Sequence, residues 1–270
     1  MPKPRTHDTG TDKLLVEIDD GVATMTFNNP EKRNALSEEI RASLPGALRA
    51  LARDDEVRVV VLRGAGEKAF VSGADISEFG DRRTSPEARA EFDALSAEAG
   101  HAWNALEKPV IAMIRGFCIG GGLLIALQAD IRIAADDARF GVPAAKLGLG
   151  YGYGGVEALV GLVGWAAASE ILFSARQLTA EEADHIGLVN RVVPVAKLES
   201  EVKELAGLIT ANAPLTVAAC KAAIRQARKD PDDRDLAHVG AMVEACFQSD
   251  DYKEGQRAFA EKRSPKFTGR

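Results

Sequence analysis

The sequence predicts an α/β core that gives way to an all-helical C-terminal segment. Two observations carry that prediction. Between residues 13 and 196, short runs rich in Val, Ile and Leu alternate with stretches whose apolar residues follow the helical period. Beyond 196 only the helical period persists: Leu198, Val202, Leu205, Leu208 and Ile209 mark one face, and strand signals are absent. The expected organisation is a polar N-terminal tail at 1–12, a core at 13–196 and a helical segment at 197–270.

A hairpin comes first. Strand-like runs at 14–18 and 22–27 flank Asp19-Asp20-Gly21, a turn signal. Ser37 suits an N-cap, and Glu38 and Glu39 suit the positive end of a helix dipole. That helix should reach about Arg53, with a kink or break where Pro45 interrupts it. A strand at 57–62 and the triplet Ala69-Phe70-Val71 precede Ser72-Gly73-Ala74-Asp75-Ile76. Ser85-Pro86 opens a helix running to about Leu106, stopped by Lys108-Pro109.

The stretch 109–130, PVIAMIRGFCIGGGLLIALQAD, is the centre of the chain: a buried strand, three glycines and a buried helix. Glycines at that point bring backbone N–H groups at a helix N-terminus close to a ligand, with no Cβ in the way. A strand at 131–134 follows, and then a glycine-rich loop of fixed shape at 143–155. Helical patterns at 156–163 and 166–173, a capping box between Thr179 and Glu182, and a strand at 189–193 close the core. Further helices begin near Pro214, Arg234 and Tyr252.

Composition excludes several classes of function. The net charge of −6 does not suggest a nucleic-acid or anionic-membrane partner. Cys118, Cys220 and Cys246 are far apart and odd in number, which fits a reducing compartment. His7, His101, His185 and His238 are scattered, so no metal site is expected. The polar start has no apolar signal-peptide core, and the stretch 118–129 is too short to cross a bilayer. A cytoplasmic location is expected.

Four pieces, in order, resemble the crotonase superfamily of enoyl-CoA hydratases and isomerases. They are AFVSGADI at 69–76, PVIAMIRGFCIGGG at 109–122, HIGLVNRVV at 185–193 and EGQRAFAEKRSPKF at 254–267. The resemblance implies a crotonase-like spiral core of ββα repeats with a C-terminal helical trimerisation segment. It implies a homotrimer or a dimer of trimers, an acyl-CoA thioester as substrate, and no metal or redox cofactor. It further implies an oxyanion hole of two backbone N–H groups, which match Ala74 and Gly121. The nucleotide-contacting segment matches Ala74, Asp75, Ile76 and Ser77, and Lys262 matches a lysine that reaches the CoA of a neighbouring subunit. The chemistry agrees with these matches. As a thioester enolate forms, charge moves onto the carbonyl oxygen, and each preorganised donor contributes ~3 kcal/mol in a dry site.

The chain departs from the family at the acid–base pair. Hydratases of this family carry a glutamate two positions after the third glycine, where this chain has Leu124, and another after Phe-Gly-x-Pro, where it has Ala144. An apolar side chain neither takes nor gives a proton, so hydration by the usual pair is not expected. Decarboxylation of a malonyl-type CoA needs only the oxyanion hole and a weak acid. Gly148-Leu149-Gly150-Tyr151 is similar to the Gly-x-x-Tyr segment of methylmalonyl-CoA decarboxylases, although those enzymes can carry a histidine where this chain has Ala74. Tyr151 admits two readings: the proton donor, or an aromatic packed over the glycine loop. At the level of function the alternatives are an enoyl-CoA hydratase or isomerase, a base-free decarboxylase, and a non-catalytic CoA-binding paralogue.

Overall fold

The computed structural model describes residues 4–75 and 86–270. The segment read as a polar tail holds an edge strand, β1 (Arg5–His7), antiparallel to β2 (Leu14–Asp19). Arg5 anchors it through Asp54 at 2.5 Å and Glu56 at 2.9 Å. So short a strand shows no period in sequence. β2 and β3 (Val22–Phe27) form the expected hairpin, with Asp20 and Gly21 at positive φ in the turn.

In α1 (Glu38–Arg53), Ser37 Oγ accepts the Ile40 N–H at 3.3 Å, as its N-cap position predicts. The expected break at Pro45 does not occur. The helix is continuous, and burial of the proline ring beside Leu44 and Leu48 offsets the hydrogen bond that proline cannot donate.

From there the chain repeats one unit: a strand in a larger sheet, a strand in a smaller sheet, then a helix. The first unit is β4 (Val59–Gly64), β5 (Ala69–Val71) and α2 (Pro86–Ala105). The second is β6 (Val110–Ile114), β7 (Phe117–Ile119) and α3 (Gly121–Gln128). The third is β8 (Ile131–Ala135), β9 (Arg139–Gly141) and α4 (Tyr153–Ser174). With β10 (Leu178–Thr179), α5 (Ala180–His185) and β11 (Arg191–Val193), the sheet orders are β1-β2-β3-β4-β6-β8-β11 and β10-β9-β7-β5. Strands β3 to β11 of the larger sheet are parallel. This is the ββα repeat that the resemblance implies. The capping box of Thr179 and Glu182 opens α5 as expected.

The larger sheet is buried on both faces. Along β4, Val60 and Leu62 join the main core with Phe27 and Phe70, while Val59 and Val61 face Leu198, Val202 and Ala206 of α6 (Val195–Thr210). Three helices complete the chain: α7 (Pro214–Ala227), α8 (Leu236–Gln248) and α9 (Asp250–Ala260). Helix α7 is tied to the core by cations reaching backbone carbonyls. Lys221 Nζ donates to Lys108 O and Asp130 Oδ2, both at 2.7 Å, and Arg225 donates to Trp103 O, Asn104 O and Leu106 O.

By length and composition α4 is apolar enough to cross a bilayer. Gly164, at φ 75° and ψ 164°, divides it at the boundary between the two helical patterns seen in sequence. Neither half, 153–163 or 165–174, reaches the roughly 20 residues that a span requires.

Candidate active site

Two backbone N–H groups from separate units converge at the N-terminus of α3. Ala74 follows β5 and forms an isolated parallel bridge with Leu36. Leu36 N–H donates to Gly73 O at 2.7 Å, and Asp75 N–H donates to Leu36 O at 3.1 Å. Gly73 O and Ala74 N–H belong to one trans peptide plane, so tying the oxygen to Leu36 aims the N–H the opposite way. Among the described residues that N–H has no backbone partner. Gly121 is held by the same device. Gly120 O accepts Leu124 N–H at 3.1 Å, which turns the Gly121 N–H outward from the first turn of α3. A Cβ built on Gly121 would lie 3.6 Å from Ala74 N and 3.1 Å from Leu36 Cδ1, so the two amides are neighbours.

The glycines have separate tasks. Gly120 has φ 53° and ψ −112°, a conformation that costs a side-chain-bearing residue heavily. A Cβ on Gly122 would fall 1.9 Å from Val71 O, so only glycine lets α3 press against β5 and bring Gly121 to Ala74.

Among the described residues, the side chains that approach the two glycines at the amides are apolar, Leu36 and Pro143. The 3₁₀ turn Pro143–Leu147, which contains Ala144, packs on Gly120: the Pro143 Cδ lies 3.7 Å from where a Gly120 Cβ would be. Leu124 and Tyr151 meet over Gly155, where a Cβ would lie 2.6 Å from Leu124 Cδ2 and 3.0 Å from Tyr151 Cε1. The Tyr151 ring is half-buried against the main core, yet its hydroxyl is fully buried and has no hydrogen-bond partner among the described residues. Burial, and next the nearby Cys118 thiol, push the Tyr151 phenol well above its ordinary range. It therefore stays protonated at neutral pH.

The comparisons with known proteins decide the family. The sequence profile of the enoyl-CoA hydratase/isomerase family matches residues 17–270. The chain belongs to that family. It is 41% identical over 250 residues to a short-chain-enoyl-CoA hydratase of Clostridium acetobutylicum, covering 93% of this chain and 95% of the relative. It is 38% identical over 256 residues to a crotonyl-CoA hydratase of Syntrophomonas wolfei, covering 95% and 98%. The crystal structure of an enoyl-CoA hydratase/carnithine racemase from Magnetospirillum magneticum superimposes with a TM-score of 0.89 at 36% identity, over 96% of this chain and 97% of that one. The fold is therefore the crotonase fold, and this enoyl-CoA hydratase/isomerase family member is an acyl-CoA-processing enzyme.

Within this family member the structure brings Ala74 to Gly121 and, one turn along α3, Leu124 to Tyr151 across Gly155. Asp75 is buried, and its Oδ2 accepts from Lys32 Nζ at 2.7 Å, so its carboxylate orders the loop that carries Ala74. Ile76 and Ser77 lie outside the described residues. Lys262 sits in the left-handed region just past α9, exposed on the C-terminal segment. His101 is exposed and Trp103 is buried. Glu157 falls in the second turn of α4, not at its start, because the helix begins at Tyr153. Among the described residues no three His, Cys, Asp or Glu side chains gather as a metal site.

A cavity of about 620 Å³ lies away from the amides, between α7, α8 and α9, lined by Ala219, Val243, Phe247, Tyr252 and Phe267 among others. Sequence reasoning missed Leu36 and Gly155. Leu36 acts through backbone atoms and Gly155 by lacking a side chain, and neither leaves a motif.

Proposed function

We propose that this enzyme holds a thioester enolate that it does not generate with a carboxylate base, and that its reaction is decarboxylation of a malonyl-type acyl-CoA. One observation supports the reading: at the two positions where the resemblance puts the hydratase glutamates stand Leu124, in the first turn of α3 after Gly121, and Ala144, next to the Pro143 that packs on Gly120. Breaking the bond between Cα and the carboxylate releases carbon dioxide and leaves its electron pair on the enolate. The enolate oxygen lies against the Ala74 and Gly121 N–H groups. Tyr151 Oη then gives its proton to Cα, and the phenolate regains one from water. No proton has to be abstracted from carbon, so no base is needed.

Water addition is the second reading, favoured by relatives named as hydratases at 41% and 38% identity. Incubation with crotonyl-CoA and, separately, methylmalonyl-CoA, with products followed by mass, separates the two. Loss of carbon dioxide from methylmalonyl-CoA supports the proposal. Rapid hydration of crotonyl-CoA, unaffected by Tyr151→Phe, overturns it.

For the assembled state we infer a homotrimer or a dimer of trimers. Large apolar side chains stand exposed on α4 (Trp165 at 77%, Phe173 at 80%) and on the C-terminal segment (Phe247 at 56%, Phe259 at 88%). In such an assembly Lys262 reaches a neighbour's CoA, and Ala74 to Ser77 contact the nucleotide. A cytoplasmic location fits the three unpaired cysteines.

A further inference from the structure

The aim of the Ala74 N–H depends on Leu36, and Leu36 is itself held from α1. Its carbonyl accepts two hydrogen bonds, from Asp75 N–H at 3.1 Å and from Arg41 Nη1 at 2.9 Å. Its N–H fixes Gly73 O, and so fixes the peptide plane of the oxyanion donor. The Arg41 guanidinium also lies over the Phe92 ring of α2, 5.3 Å from the centroid. Helices α1 and α2 are joined again by Arg49 and Glu98 at 2.9 Å. Arg41 therefore stands at a junction: one end grips the strand segment that aims the donor, and its flat face seats the helix that follows residues 76–85 in the chain.

We propose that Arg41 is a positioning residue for the oxyanion hole, holding the Leu36 carbonyl so that the Ala74 N–H stays aimed at the thioester oxygen. The inference rests on the reading of Ala74 and Gly121 as the oxyanion donors. Without Arg41, Leu36 O keeps only the Asp75 N–H, and the bridge that orients Gly73 is free to twist. Charge at Leu36 O also polarises the chain of hydrogen bonds that ends at Asp75, which stiffens the loop. A positioning role of this kind affects the polarisation of the bound carbonyl more than the affinity for the CoA.

The test uses butyryl-CoA carrying ¹³C at the thioester carbonyl, a probe that is neither hydrated nor decarboxylated. Its carbonyl stretch is read by infrared difference spectroscopy when bound to wild type, Arg41→Ala and Arg41→Gln, with Kd measured in parallel. In wild type the stretch moves to lower frequency than in water. In Arg41→Ala that downshift shrinks while Kd stays within about threefold, and kcat on the turned-over substrate falls by about tenfold or more, part of the loss from deleting an oxyanion donor. Arg41→Gln, which keeps an N–H for the Leu36 carbonyl, restores most of the downshift. Should Arg41→Ala fail to fold, Phe92→Leu gives a smaller loss in the same direction. A full wild-type downshift in Arg41→Ala, or in Phe92→Leu where the alanine variant does not fold, overturns the proposal. A wild-type protein with no downshift at all overturns the oxyanion reading beneath it, which is a different result.

Discussion

Tyr151→Phe separates a catalytic phenol from a packing aromatic, because the two roles predict different combinations of stability and rate. The Tyr151 hydroxyl is buried without a hydrogen-bond partner among the described residues, while its ring packs on Leu124 and Gly155. An unpaired buried hydroxyl costs about 1–3 kcal/mol, and phenylalanine keeps the ring while removing that cost. The variant should gain about 1 kcal/mol, or roughly 2–4 °C in Tm for a chain of this size. Delivery of the proton to Cα should slow by about 100-fold or more, the usual worth of a positioned acid. The assay is methylmalonyl-CoA decarboxylation in D₂O, following release of carbon dioxide and the position of deuterium in the product. If protonation is not rate-limiting, carbon dioxide still appears but deuterium enters both faces of the enolate. Unchanged rate together with unchanged, single-faced deuteration would refute the assignment. A lowered Tm would show that the hydroxyl has a partner within the protein and is structural.

Three further outcomes follow from the same geometry. Gly121→Val places branched carbon 3.1 Å from Leu36 Cδ1 and 3.6 Å from Ala74 N, so kcat should fall by at least about 100-fold with the fold retained by circular dichroism. Burial lowers the Lys221 ammonium to about 8, against the opposing pull of Asp130. The folded state therefore releases this proton at lower pH than the unfolded chain, and stability rises as pH climbs from about 8 towards 10.5. Lys221→Met should lack that rise: its chemical-denaturation stability, lower than wild type by about 1–3 kcal/mol at pH 7, should fall further behind at pH 10. Trp165→Glu charges a side chain that is 77% exposed on α4, and light scattering should report a smaller particle if another copy covers that face.

Much of the fold is legible in the sequence because its elements are set by local patterns. The turn at Asp20-Gly21, the Ser37 cap, the capping box at Thr179 and the split helix around Gly164 are each written in a few adjacent residues. What is not legible is non-local or very short. The edge strand at Arg5 exists because β2 offers it unpaired backbone, and β7 and β9 are too brief to show a period. Pro45 reads as a break from propensity alone, and burial of its ring overrides that preference.

The site divides along the same line. Three consecutive glycines announce a close approach, and the resemblance names Gly121 and Ala74, but the aim of each N–H comes from what the carbonyl in the same peptide group is bonded to: Gly73 O to Leu36 in one case and Gly120 O to Leu124 in the other. That places Leu124 in two roles. Its N–H fixes the peptide group that turns the Gly121 N–H outward, and its side chain packs with the Tyr151 ring at Gly155. Burial of the Tyr151 hydroxyl beside Leu124, which raises its phenol, is consistent with an apolar surrounding there. In the proposed decarboxylation, a substrate carboxylate against an apolar wall would be disfavoured relative to neutral carbon dioxide, while the amide pair would favour the enolate that forms as it leaves. Both effects act along the same reaction coordinate. Addition of water gains only the second, and it still needs a base that neither Leu124 nor Ala144 can supply.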